Sequence, residues 1–300
     1  MSPAKALLLD TFSLFFRAFF ALPPMSTSRG EPTGALYGFS ALLLKLLREH
    51  PGAQWCFALD TARPTFRQRE FQPYKAQRAP TPSALVEQLR RLDELFDRLG
   101  VPVLGSPGFE ADDVLATLAT RLRAEGRRTM VVSGDRDLLQ VAFGSVLVHY
   151  VGQRGKAAQV HSETSVRERF GVPPWRLPSY VALVGDASDN LPGVPGIGPS
   201  TAKKLLENRE SIGELLRDAP HVAPARVRQL LLAHAEQMQT TERLARLRCD
   251  APLPHAPHLA TPTQAGLMAV RAWFEALEFG SLLPRLDRLV EAQRLGTSVA

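Results

Sequence analysis

Five apolar runs of strand length restrict this chain more than any other feature: residues 6–9, 55–59, 101–104, 129–132 and 146–150. Each ends at a turn residue or a carboxylate, and each is too short for a buried helix. Helical patterns at 34–48, 83–99 and 112–123 lie between them. A parallel strand pair needs a crossover long enough to hold a helix, so this alternation predicts an α/β fold: a mostly parallel central sheet with helices on both faces. That layer is expected over residues 1–162. From residue 163 the strand signals stop, and Pro173, Pro174, Pro178, Pro192, Pro195 and Pro199 punctuate helical segments. An all-helical region over 163–250 follows. Residues 251–300 are read as an extended connection rich in Pro, His and Ala, followed by a helix at 264–277 that packs back on the body.

The net charge of +6 and the pI near 9.7 favour a polyanionic partner, because a basic surface attracts phosphates over a Debye length. Lys5 followed by an apolar stretch to Leu22 resembles a leader, but Asp10 and Arg17 interrupt it, and no apolar run reaches spanning length. No membrane role is expected. Cys56 and Cys249 are far apart, which gives neither a disulfide framework nor a zinc site and fits a reducing cytoplasm.

The apolar runs deliver acids to one place. Asp10 terminates the first, Asp60 the second, and Asp135 follows the fourth, so three parallel strands present aspartates at their C-terminal ends. That edge is where open α/β sheets bind ligands. Glu110, Asp112 and Asp113 arrive at the start of a helix, where the dipole tolerates anions. A helix cap accounts for Asp112 or Asp113 taken alone. With Asp137, Asp186 and Asp189 the count reaches nine, and packed carboxylates repel unless a cation neutralises them. Oxygen ligands without nearby His or Cys point to two Mg²⁺ ions, with Mn²⁺ as a substitute, and paired hard metals are a recurrent device for phosphodiester hydrolysis.

Two further segments fit a nucleic-acid substrate. Residues 63–78 carry five cations against the single anion Glu70. This arm leaves the sheet directly after Asp60, so Lys75 and Arg78 are placed to act on a phosphate near the metals, Arg67 to bind DNA, and Tyr74 and Phe71 to stack on a base. A solvated loop is the plain alternative. Residues 191–200 hold three glycines and three prolines and open a helix with Lys203 and Lys204. We read a helix-hairpin-helix in which Gly193, Gly196, Gly198, Ser200, Lys203 and Lys204 grip duplex backbone without reading bases. Arg226, Arg228, Arg243 and Arg246 are read as a solvated face.

These features resemble the 5′-nuclease domain of bacterial DNA polymerase I and its flap endonuclease relatives. The resemblance runs from Leu7 to Leu283 through Phe16-Arg17-Ala18, Gly30-Glu31-Pro32-Thr33-Gly34, Thr65-Phe66-Arg67, Tyr74-Lys75, Glu110-Ala111-Asp112-Asp113, Gly134-Asp135-Arg136-Asp137, Gly185-Asp186-Ala187-Ser188-Asp189-Asn190 and Leu277-Glu278-Phe279-Gly280. It implies a structure-specific 5′-3′ exonuclease or flap endonuclease of replication and repair, acting in the bacterial cytoplasm or nucleoid. It also implies a helical arch over about 63–90 that carries Lys75 and Arg78, with Arg17 flanking the site. A helix-three-turn-helix over about 186–206, often with K⁺ at its hairpin, completes the implied site. The implied partners are DNA with a 5′ end, flap or nick, RNA primers and a separate polymerase, with the protein itself a free-standing monomer. All nine acids match family positions: Asp10, Asp60, Glu110, Asp112, Asp135 and Asp137 are expected nearest the metals, and Asp113, Asp186 and Asp189 partly through water. Thr11 replaces the family's usual glycine beside the first ligand. Three other readings are a branched-DNA-binding protein with little catalysis, an RNase of the related acidic α/β type, and an aspartyl-nucleophile phosphatase. The last wants a second aspartate where Phe12 stands.

Overall fold

The computed structural model describes residues 4–61, 64–152, 157–254 and 259–295. Arg63 at the start of the basic arm, part of the predicted connection at 255–258, and both chain ends lie outside these residues. Strand β1 (Ala6–Asp10) runs into α1 (Thr11–Ala21), and α2 (Gly34–Glu49) leads to β2 (Gln54–Ala58). Two short helices, α3 (Phe66–Glu70) and α4 (Ser83–Leu89), precede α5 (Leu92–Leu99) and β3 (Val103–Leu104). Next come α6 (Ala111–Ala124), β4 (Thr129–Ser133), β5 (Val146–Tyr150) and β6 (Gln159–His161).

The sheet order is β3-β2-β1-β4-β5-β6, with every pairing parallel except that of β6, which is antiparallel. Side chains alternate across the pleat, so Leu7 and Leu9 of β1 enter one core and Ala6 and Leu8 the other. Burial on both faces is why the strands read as unbroken apolar runs.

The helical region follows as α7 (Glu163–Phe170), α8 (Leu177–Val184), α9 (Pro199–Leu206), α10 (Ile212–Asp218), α11 (Ala225–Ala233) and α12 (Ala235–Ala245). Val194, Ile197, Ala202, Leu205 and Met238 join the same core as Leu8 and Val131, so this region is packed continuously with the sheet. The last helices, α13 (Gln264–Ala276) and α14 (Leu283–Leu295), cover the opposite face, where Trp273 and Phe274 meet Phe57 and Phe96.

Two expectations change, and one strand was not foreseen. The helix predicted at 83–99 divides at Arg90–Arg91, because its halves dock on different partners. In α4, Gln88 Oε1 accepts the backbone N–H of Ala35 (2.7 Å) and Leu36 (3.2 Å), capping the start of α2, while α5 packs on α13. The strand predicted at 101–104 shortens to two residues, and the edge of β2 that it leaves free at Trp55 pairs with Ala260 of the connection. The polar edge strand β6 carried no apolar signal. No described helix is long and apolar enough to cross a membrane.

Candidate active site

From β1 the chain moves outward through β2 and β3 on one side and through β4, β5 and β6 on the other. The C-terminal ends of β1 and β4 therefore flank the topological switch point, where the crossovers diverge and leave a crevice. Asp10 ends β1 and caps α1 by accepting the Ser13 N–H at 3.3 Å. Thr11 is the first residue of α1, so no glycine-only conformation is needed beside Asp10. Ser133 ends β4; its hydroxyl donates to Asp10 Oδ2 and accepts the Asp135 N–H at 2.8 Å. Asp135 Oδ1 then accepts the Asp137 N–H at 3.0 Å. Ser133 and Ser13, which also accepts the Gly134 N–H, thus shape the acid turn. Sequence reasoning passed over both, since a serine at a strand end carries no distinguishing signal.

A cavity of about 750 Å³ opens here, lined by Asp10, Asp60, Glu110, Asp112 and Asp135 and by Arg17, Lys75 and Arg78. Asp60 is exposed and accepts the Ala111 N–H (2.8 Å) at the start of α6. Burial raises Asp10 to about 7; the Ser133 hydrogen bond opposes this, and the nearby charges of Asp135 and Asp60 add to it. Asp112 is pushed well up by burial and then by Asp135 and Asp10. Asp137 is pushed well up by burial and then by Asp135, Asp189 and Asp186. Asp135 is therefore the charge neighbour common to two groups of acids: Asp10 and Asp112 on the cavity side, and Asp137 and Asp189 on the hairpin side.

Carboxyls pushed up by burial and by one another, offering only hard oxygen donors, fit a divalent cation. Among the described residues no three acids, histidines or cysteines already close around one point.

The arm differs from a raised helical arch. Over 64–90, two short helices flank turns, and the turn segment lies down on the acids and on the loop after α8. Lys75 N–H donates to Asp189 O (3.1 Å), Asn190 Nδ2 to Pro73 O (2.7 Å) and Gln77 Nε2 to Ala187 O (2.8 Å). Lys75 adopts a left-handed backbone, φ 56°, and its Nζ sits 3.0 Å from Glu110 and 3.5 Å from Asp189. Burial opposes its charge, but Glu110, Asp189 and Asp112 outweigh burial and hold it cationic. Arg78 reaches Asp189 at 2.9 Å. Arg17 donates to Gly134 O and Tyr150 Oη and lies over the Tyr150 ring. A Cβ at Gly134 would overlap the Arg17 guanidinium where it now lies.

Several site expectations are corrected. Asp113 is fully buried, and its oxygens accept from Arg67 twice at 2.7 Å, from Glu110 N–H at 3.1 Å and from Arg248 N–H at 2.9 Å. No lone pair is left for a metal. Arg67, 2 % exposed, also binds Glu110 and the Leu244 and Arg246 carbonyls, so it braces the arm, α6 and the end of α12 and cannot touch DNA. Tyr74 is buried with its hydroxyl between Glu110 (2.9 Å) and Asp189 (2.8 Å) and cannot stack on a base. Glu110 is held below the usual carboxylate range: burial works against this, but Lys75 and Arg67 prevail. It serves as their counter-ion at the rim of the cavity.

In the hairpin, Gly193 lies where any Cβ would overlap Val184 and Gly185, so it is a packing glycine. Lys203 Nζ is tied to Arg169 O at 2.8 Å. Gly196 (φ 84°), Gly198, Ser200 and Lys204 are exposed. Asp186 Oδ1 accepts from the Ser188 N–H at 2.7 Å.

Fold and site define a class first: an α/β nuclease architecture with an acidic cleft at its switch point and a glycine-proline hairpin beside it. The chain belongs to the 5′-3′ exonuclease family: residues 5–171 match the 5′-3′ exonuclease N-terminal resolvase-like domain, and residues 172–265 its C-terminal SAM fold. It is 42% identical over 279 residues, 93% of its length, to the thermostable DNA polymerase I of Thermus thermophilus, and 38% identical over 289 residues to DNA polymerase I of Mycobacterium bovis, 95% of its length. It spans about a third of those relatives, 33% and 32% of their lengths. The fold is shared with T5 5′-exonuclease bound to zinc (TM-score 0.64, 19% identity, 98% of this chain and 99% of that one). The catalytic core of Rad2 in complex with DNA substrate is also similar (TM-score 0.62, 15% identity, 97% and 92%).

Proposed function

We propose that this chain hydrolyses DNA phosphodiester bonds near a 5′ end, flap or nick, using two divalent cations held by the acid band. The observation that carries this reading is the set of carboxylates that no described cation pairs, Asp10, Asp112, Asp135 and Asp137, branching at Asp135 on the sheet-edge cavity. Asp10, Asp112 and Asp135, with Asp60 nearby, would hold one ion; Asp135, Asp137, Asp186 and Asp189 would hold the second. When bound, such ions activate a water and stabilise the leaving oxygen. Ser133 fixes Asp10 and the Asp135 turn, so these two acids are held in place without an ion. Lys75, kept charged by Glu110, and Arg78 present donors to a phosphate in the cavity. Arg17, in the cavity wall, secures the Gly134 turn.

Support from relatives is of the same kind: T5 5′-exonuclease structures carry divalent metals, and Rad2 and T5 flap endonuclease structures contain DNA. Mg²⁺ as the working ion, K⁺ at the hairpin, action on RNA primers beside a separate polymerase, a monomeric state and a cytoplasmic location belong to the same proposal. A 5′-labelled flap duplex tests it. Short 5′ products are expected in Mg²⁺ and should vanish with EDTA and in Asp112→Asn. Binding without cleavage in both Mg²⁺ and Mn²⁺ would sink the catalytic reading and leave a branched-DNA-binding protein.

A further inference from the structure

Among the described residues, four cations border the acid band, and they differ in how fully their donors are used. Lys75 is 7% exposed at the side chain and bridges Glu110 and Asp189. Arg78 holds Asp189 at 2.9 Å. Arg17 is locked on Gly134 O and Tyr150. Arg136 is the exception: its side chain is 52% exposed and reaches one anion, Asp186, at 3.9 Å, beyond hydrogen-bond distance. The acid turn sets its direction. Asp135 Oδ1 holds the Asp137 N–H, so both aspartates are half-buried in the band while the residue between them stands out in solvent. Arg136 is near enough to Tyr180 of α8 for its charge to act on that phenol. Helix α8 in turn ends at Gly185, packed against Gly193 at the start of the hairpin.

We infer that Arg136 is a phosphate-binding residue that holds the DNA backbone between the acid band and the hairpin. The inference rests on the nuclease reading above. A guanidinium with free donors matches a phosphate with two parallel hydrogen bonds, which a lysine ammonium does not reproduce. Arg136 thus supplies binding on the hairpin side of the acids, through a guanidinium that reaches only Asp186, and it does not touch the reacting phosphate.

The test is flap-duplex binding in Ca²⁺ over a salt series, together with single-turnover cleavage in Mg²⁺ at saturating enzyme. Arg136→Ala should weaken binding about ten-fold, reduce the log–log salt slope by about one, and leave the saturated cleavage rate within about two-fold. Arg136→Lys should restore the slope but only part of the affinity. An unchanged Kd and slope in Arg136→Ala, with unchanged melting, would overturn the inference. So would a large fall in saturated rate at unchanged Kd, which would place Arg136 in the chemistry. Wild-type protein that neither binds nor cuts the flap would instead overturn the nuclease reading, so the two failures are distinguishable.

Discussion

Asp112 and Asp113 are adjacent in the first turn of one helix, yet their surroundings are opposite. Asp112 faces the cavity, where burial and like charges push its carboxyl well up. Asp113 faces inward, and each of its oxygens is satisfied by Arg67 or by a backbone N–H. Successive helix positions point about 100° apart, so one turn supplies both a charge left for a cation and a charge already neutralised. The first leaves a carboxyl open to the cavity at a cost in stability. The second ties α6 to the arm and to the end of α12, so that the first stays where it is.

Substitutions at the two positions should therefore separate activity from stability. Asp112→Asn should reduce flap cleavage about a thousand-fold or more, the scale of several kcal/mol expected for a metal-organising group, while metal-free melting holds or rises. Equal loss of melting temperature and activity would break the contrast. Arg67→Ala should cost about 3–5 kcal/mol, because Asp113 is left buried and unpaired. Denaturant unfolding reads this directly, and a stability change under about 1 kcal/mol would show that the brace is not a brace.

The pH dependence of the metal-free protein sharpens the same comparison. Asp10 has a folded pKa of about 7, raised above its ordinary 3.8. The folded state therefore binds its proton more tightly than the unfolded state. Stability associated with Asp10 is complete below about pH 4 and is lost as pH rises through 7, on the order of a few kcal/mol. Asp112 and Asp137 shift in the same direction. Melting of the EDTA-treated protein should fall between pH 4 and 7, less steeply in Asp10→Asn, and Mg²⁺ should reverse the fall at pH 7. A metal-free melting temperature that rises over that window would contradict the acid band described here. The smallest effect is expected for Tyr74→Phe, which removes the hydroxyl between Glu110 and Asp189 at a cost of about 1–2 kcal/mol. Cleavage should fall only several-fold, measured alongside melting.

Glu110 marks the limit of the sequence reading. Together with Asp112 it was expected to sit among the acids nearest the metals. The structure gives Glu110 to Lys75, Arg67 and Tyr74 instead. The basic arm was legible as a charge run beside Asp60, but its resting place was not. Its docking depends on Asn190 and Gln77, whose hydrogen bonds span more than a hundred residues of chain.

Local pattern determined the sheet, its parallel strands and the acids at their ends, because a buried strand needs an unbroken apolar run and a turn needs its own residues. The hairpin was readable for the same reason: glycine and proline dictate backbone locally. Tertiary structure alone decided which acids stay unpaired and which cations are consumed. Arg67, Lys75, Arg78 and Arg136 are alike as charges in the sequence, and a charge's role is set by what is packed within a few ångströms of it.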